Sequence, residues 1–217
     1  MAMENQTALK KRAGRIVNLL KKHYPDARCT LDFETVPQLL VATILSAQCT
    51  DDRVNKVTPT LFKKYSSIRD FADADLGELE KDIYATGFYR HKAKAIKNSA
   101  RQILDEYGGK MPRKLAELVK LNGVGRKTGS VILGAGFGLA EGIVVDTHVG
   151  RISRLLGFTR HKEAVKIEQD LMRIIPPREW IGLSHRLIEH GRTVCKARRP
   201  ECKRCFLNKL CPSAEIN

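Results

Sequence analysis

Apolar residues along this 217-residue chain recur at intervals of three and four, the spacing that gathers them on one face of an α-helix. Over residues 8–24, Ala13, Ile16, Val17, Leu20 and Tyr24 alternate with Lys10, Lys11, Arg12, Arg15, Lys21 and Lys22, which predicts one amphipathic helix. Residues 36–48 are apolar nearly all round (Leu39, Leu40, Val41, Ile44, Leu45). That pattern marks a helix buried at the centre of a bundle. It ends abruptly in Ser46-Ala47-Gln48-Cys49-Thr50-Asp51, where Thr50 or Asp51 can cap a helix over 52–65. Further helices are predicted over 76–85, closed by Gly87, and over 91–107. On the latter Ala93, Ile96, Ala100, Ile103, Leu104 and Tyr107 form one face, and Lys94, Lys97 and Arg101 another. Helical patterns also cover 113–120 and 126–139, and Gly134, Gly136 and Gly138 weaken the second half of the latter or let it pack closely. Asp146 precedes a helix over 147–156, and helices over 162–175 and 178–191 are separated by Pro176-Pro177. Residues 143–145 are too short for a strand, and no strand pair or repeat is visible. The fold class expected is all-α.

Charge narrows the range of partners. With 39 Lys and Arg against 24 Asp and Glu, the formal charge is +15 and the pI about 9.7. Because the excess is not confined to one tail, it points to a polyanion, nucleic acid before membrane, although a generally basic enzyme has the same balance. No run is long enough to span a bilayer, and the opening MAMENQTALKKRAG has no apolar secretory core. An intracellular protein is expected.

The stretch Leu121-Asn122-Gly123-Val124-Gly125-Arg126-Lys127-Thr128 lies where one helical pattern stops and another begins. A helix starting there aims unpaired N–H groups outward with the positive end of its dipole behind them, which makes an anion site suited to a phosphate. A lysine nucleophile reacts as its neutral amine and therefore needs cationic or polar-positive surroundings. Arg126 and the helix start would supply them to Lys127. A Gly-x-Gly turn is also a common connector, and a lysine after it is usually a solvated charge.

Three other places carry chemistry. Of six cysteines, Cys195, Cys202, Cys205 and Cys211 are spaced C-x6-C-x2-C-x5-C near the carboxy terminus, with Lys196, Arg198, Arg199, Lys203, Arg204 and Lys209 among them. Four thiolates on so short a segment suit a [4Fe–4S] cluster or tetrahedral zinc, and a single close C-x2-C pair leans to iron–sulfur. Asp146 is an ideal cap for the helix that follows, and the same ionised carboxylate can stabilise positive charge at a sugar's anomeric carbon. Gln48 can donate to and accept from an orphaned base, or simply be a polar residue leaving the core. Phe88, at a turn tip, can wedge into a base stack or pack beneath the turn. The basic face of 91–107 could follow a phosphate backbone or be merely solvated.

Taken together, LNGVGRKTG, VVDTH and the four-cysteine spacing resemble the endonuclease III branch of the helix-hairpin-helix DNA glycosylases. The likeness extends from about Pro25 to Pro212 and includes LSAQCTD, GFYRHKA and HGRTVC. It implies a two-lobed fold, with a six-helix domain over 29–139 and an iron–sulfur domain formed by 1–28 with 140–217, double-stranded DNA lying across the cleft. It further implies a monomeric, cytoplasmic, nucleoid-associated prokaryotic enzyme acting on damaged pyrimidines and abasic sites. In it Lys127 is the nucleophile and Asp146 its essential carboxylate. Gln48 and Phe88 match positions that fill the gap and wedge the opposite strand, and Gly123, Val124 and Gly125, with Arg126, match the hairpin that grips a phosphate. A [4Fe–4S] cluster on the four cysteines is part of the same resemblance. Three departures bear on affinity and damage preference: Asn122 where proline is common, Phe88 where leucine is usual, and Gly129 where alanine is usual.

Overall fold

The computed structural model describes residues 5–214, and among these it contains eleven α-helices and no strand. They are α1 (Gln6–His23), α2 (Val36–Leu45), α3 (Asp51–Lys64), α4 (Ile68–Asp73), α5 (Leu76–Asp82), α6 (Tyr89–Tyr107), α7 (Leu115–Leu118), α8 (Arg126–Val131), α9 (Thr147–Leu155), α10 (Ala164–Ile174) and α11 (Trp180–Thr193). The all-α expectation holds. The first four residues of the stretch read above for a secretory signal lie outside the described residues, among which no helix is long and apolar enough to cross a membrane. The chain divides into two compact units, Cys29–Glu141 and a second made of Met1–Arg28 with Gly142–Asn217.

In the Cys29–Glu141 unit α2 is the buried helix that its composition predicts, with every residue from Leu39 to Leu45 inside. A reciprocal cap starts it, Thr35 taking the Gln38 N–H while the Gln38 side chain takes the N–H of Thr35. Thr50, rather than Asp51, caps α3. Helix α6 is the longest of the unit and packs Ala93, Ile96, Ala100 and Ile103 into the same core. After α8 the chain widens into a π-helical turn over Ile132–Gly136. A Cβ on Gly136 would lie 3.1–3.3 Å from Val36 and Leu39, so this glycine serves close packing on α2.

The unit holds two features that periodicity does not show. Helix α4 was not predicted, because six residues are too few to show a period. Its signal is Ser67-x-x-Asp70, a capping box in which each side chain receives the other's backbone N–H. The basic face of α6 also has a structural use, since Lys97 donates to the Ala74 carbonyl and Arg101 to the Ala72 carbonyl and, at 2.7 Å, to Asp73. Two of those three cations thus satisfy the end of α4, and Lys94 stays exposed.

The other unit buries Ala13, Ile16, Val17 and Leu20 of α1 against Val149 and Ile152 of α9, Leu171 of α10 and Leu187 of α11. Two arginines fasten its carboxy-terminal loop through backbone carbonyls. Arg12 reaches Leu156 O at 2.7 Å and Leu210 O at 3.1 Å, and Arg151 reaches Cys195 O at 2.6 Å. Charge-assisted bonds of this kind hold irregular backbone that has no ladder of its own.

Candidate functional site

The two hairpin glycines turn out to have different duties. Gly123 has φ +75°, and a Cβ there would stand 2.8 Å from the Ala95 Cβ on α6. Backbone angle and space both demand glycine. Gly125 has φ −82° and ψ 173°, and a Cβ there would meet nothing within 4 Å. The folded chain itself makes no steric demand for glycine at that position.

Gly125 begins α8 without a side-chain cap. The Val124 N–H is taken by Leu121 O at 3.1 Å and its side chain is buried, so that amide is engaged within the turn. No acceptor among the described residues takes the N–H of Gly123 or Gly125. Lys127 and Arg126 are exposed in the first turn of α8. The exposed end is thus an uncapped, positive helix start with an amine on it.

Two of the departures have physical counterparts. The Asn122 N–H, which a proline would lack, donates to Gln102 Oε1 at 2.9 Å, and Gln102 Nε2 reaches Lys120 O at 3.4 Å. The α6 side chain of Gln102 therefore pins the turn. At Gly129 a Cβ would lie 2.8 Å from Leu115 Cδ1, so the leucine methyl occupies the space an alanine would use.

Gln48 (φ 52°) and Phe88 (φ 49°) are the non-glycine residues with positive φ among those described. Each is exposed, Phe88 to 60 %. Left-handed angles cost about 1–2 kcal/mol per non-glycine residue. Phe88 therefore neither packs beneath its turn nor relaxes, and Gln48 projects from the turn that leaves the core. Between them lies a residue that sequence reasoning missed. Lys92 is 5 % exposed, and its Nζ donates to Leu45 O at 2.8 Å and Thr86 O at 2.7 Å. Burial pulls this ammonium below the ordinary lysine range, with the nearby Cys49 opposing. The missed signal was a lysine in register with Ile96, Ser99 and Ile103 on the apolar stripe of α6.

In the other unit Asp146 caps α9, its Oδ1 accepting the Val149 N–H at 2.8 Å. Capping is therefore what it does in the fold, and the cap fixes the carboxylate at a helix start. Cys195, Cys202, Cys205 and Cys211 all line one cavity of about 100 Å³, with Leu156, His190 and Leu207 among its walls. Burial pushes the Cys195, Cys205 and Cys211 thiols up from their ordinary range. A group that binds them as thiolates must displace protons and supply the compensating positive charge. The Leu207 N–H already points at Cys205 Sγ at 3.4 Å, and His190 Nε2 lies 3.5 Å from the same sulfur. Outside the cavity Lys196 and Arg204 pair with Glu201, while Arg198, Arg199, Lys203 and Lys209 have no ion-pair partner among the described residues.

An all-α unit closing on an uncapped glycine hairpin, with a cysteine-lined cavity in the companion unit, defines a class. The model of the HhH-GPD superfamily of base excision DNA repair proteins matches residues 41–177. The chain is 49 % identical to the endonuclease III of Synechocystis sp., over 99 % of this chain and 98 % of that one. Two solved structures are each 43 % identical with a TM-score of 0.89 and cover 98 % of this chain. One, covered over 97 % of its own length, is a non-covalent endonuclease III–DNA complex. The other, covered over 98 %, is a trapped endonuclease III–DNA covalent intermediate with an estranged adenine. The chain belongs to the endonuclease III family.

The two hairpin glycines separate in a stability measurement. Gly123→Ala is expected to lower unfolding free energy by about 1–3 kcal/mol, whereas at Gly125, the N-cap of α8, the poorer capping by alanine and the stiffer unfolded chain oppose each other, for a net change of less than about 0.5 kcal/mol. Urea midpoints with unchanged slopes read both.

Proposed function

We propose that this chain removes oxidised pyrimidines from double-stranded DNA and cuts the strand 3′ to the resulting abasic site, with Lys127 as nucleophile and Asp146 as its carboxylate. Membership of the endonuclease III family makes it a bifunctional DNA glycosylase and AP lyase of base excision repair. The observation that carries the residue assignment is the exposed Lys127 on an α8 start that no side chain caps. The covalent endonuclease III–DNA neighbour supports an enzyme-linked intermediate.

The chemistry needs a base taken out of the stack. The Lys127 amine attacks the anomeric carbon of that nucleotide and the base departs with its bonding electrons; the amine nitrogen then loses its protons as the bond from the anomeric carbon to the ring oxygen breaks, that oxygen takes up a proton, and a ring-opened imine remains. The ionised Asp146 carboxylate offsets the positive charge that builds on the sugar as the base leaves. Protonated, the imine draws electrons from the neighbouring carbon. A proton is lost there, the 3′ phosphate leaves, and water returns the lysine.

Gly125 supports the reading of the hairpin as a phosphate grip, because open space beside its Cα lets a phosphate approach the backbone. Arg126 adds a cation at the same place. Gln48 fills the gap left by the extruded base, and Phe88 wedges the opposite strand. On this reading the enzyme works as a monomer on cytoplasmic, nucleoid DNA.

We assign a [4Fe–4S] cluster to Cys195, Cys202, Cys205 and Cys211. Their shared cavity suits a group that takes one thiolate per iron. Only Cys202 and Cys205 form a close C-x2-C pair, where zinc ligands usually come as two such units, which weighs against tetrahedral zinc. The cluster's contribution is structural: it holds the loop that carries Arg198, Arg199, Lys203 and Lys209.

Borohydride trapping tests the nucleophile. Wild type is expected to form a covalent adduct with abasic-site DNA, and Lys127→Gln to form none while still binding that DNA. A mutant that traps as wild type does would overturn the assignment. The holoprotein is expected to contain about four irons per chain and to absorb broadly near about 400 nm. Zinc without such a band would refute the cofactor, since zinc is d¹⁰ and has no such transition.

A further inference from the structure

The turns that carry Gln48 and Phe88 are separate in sequence, yet one buried side chain holds both. Leu45 is the last residue of α2, three before Gln48, and Thr86 lies two before Phe88. Neither carbonyl receives a backbone N–H from the turn that follows it, and Lys92 Nζ donates to both at 2.8 and 2.7 Å. Burying an ammonium is costly unless its hydrogens are taken. Its place on the apolar stripe of α6, where an aliphatic residue would pack as well, therefore needs a reason beyond packing.

The strain supplies one. Gln48 and Phe88 both hold left-handed angles that relax unless the surroundings fix them. Each is exposed, so no side-chain packing fixes it from outside. Backbone bonds close each turn locally, Cys49 N–H to Ser46 O and Gly87 N–H to Tyr84 O, and the carbonyl that Lys92 grips is what ties each closed turn to α6. The rest of α6 runs on under the hairpin, with Ala95 against Gly123, so the amine also refers both turns to the frame that carries Lys127.

We infer that Lys92 is a positioning residue: it couples the Gln48 and Phe88 turns so that gap filling and wedging occur together, and it touches neither DNA nor the reacting atoms. The inference rests on the reading that Gln48 and Phe88 engage the duplex. It assigns base extrusion, rather than the imine chemistry, to the step that depends on Lys92.

Lys92→Met keeps the aliphatic length and removes the donors. The test compares it with Gln48→Ala and Phe88→Ala on two probes: a duplex with a single thymine glycol, and a single-stranded oligonucleotide with one abasic site, which has no opposite strand to wedge. Lys92→Met is expected to slow single-turnover excision from the duplex by about tenfold or more, leave β-elimination on the single strand unchanged, and add little to the effect of Phe88→Ala in the double variant. With 2-aminopurine opposite a tetrahydrofuran site, the brightening on binding is expected to shrink in the same variant. If Gln48→Ala and Phe88→Ala slow the duplex reaction but Lys92→Met does not, the coupling role is wrong. Equal losses on both probes would also overturn it, since that is the mark of general loosening. If Gln48→Ala and Phe88→Ala leave duplex excision at the wild-type rate, the insertion reading fails instead. Should Lys92→Met not fold by circular dichroism, Lys92→Gln, which keeps a donor for one carbonyl, is held to the same outcomes.

Discussion

The close approach of the Gly123 backbone to Ala95 is the constraint from which the setting of Lys127 follows. Only a residue without a Cβ lets the chain reverse there, and only a small residue on α6 lets it reverse so near. Ile44 borders the same spot from the last turn of α2. One turn earlier on α6 and one residue further along α2, Lys92 and Leu45 make a bond that ties the Gln48 turn to α6. The hairpin and the Gln48 and Phe88 turns therefore share a short stretch of two helices, and neither helix can shift without moving all three.

Stability and function divide cleanly along this stretch. Gly123, the Val124 side chain and Gly129 answer to packing, whereas Gly125 and Lys127 face outward where packing asks nothing of them. Residues the fold does not need, in a place it took trouble to shape, are where ligand contacts belong. The cysteine loop follows a different logic. It has no ladder of its own and little helix, so it relies on Arg12, Arg151 and whatever its four thiols bind.

Much of this was legible in the sequence because long helices advertise their period. The buried face of α1, the all-round burial of α2 and the apolar residues of the α6 face were readable, and the cysteine spacing announced a shared cavity. What escaped had no period to show: α4 is six residues long and is held by a capping box. Basic residues stayed ambiguous for a related reason. Lys97 and Arg101 look like a phosphate-binding face, but a cation near a helix end serves carbonyls as readily as phosphates, and sequence does not say which is nearer. Lys92 was hidden by the opposite habit, that of passing over a charge on an apolar stripe. The departures at Asn122 and Gly129 were visible as departures, but their partners Gln102 and Leu115 are fixed only by the fold.

The account stands on which amine joins the DNA. Borohydride reduction of the wild-type reaction, followed by digestion and mass spectrometry of the DNA-linked peptide, locates that amine directly. The account predicts a single modified residue, Lys127, in the peptide containing Thr128 and Gly129. Modification at any other lysine, or at the amino terminus, would contradict it.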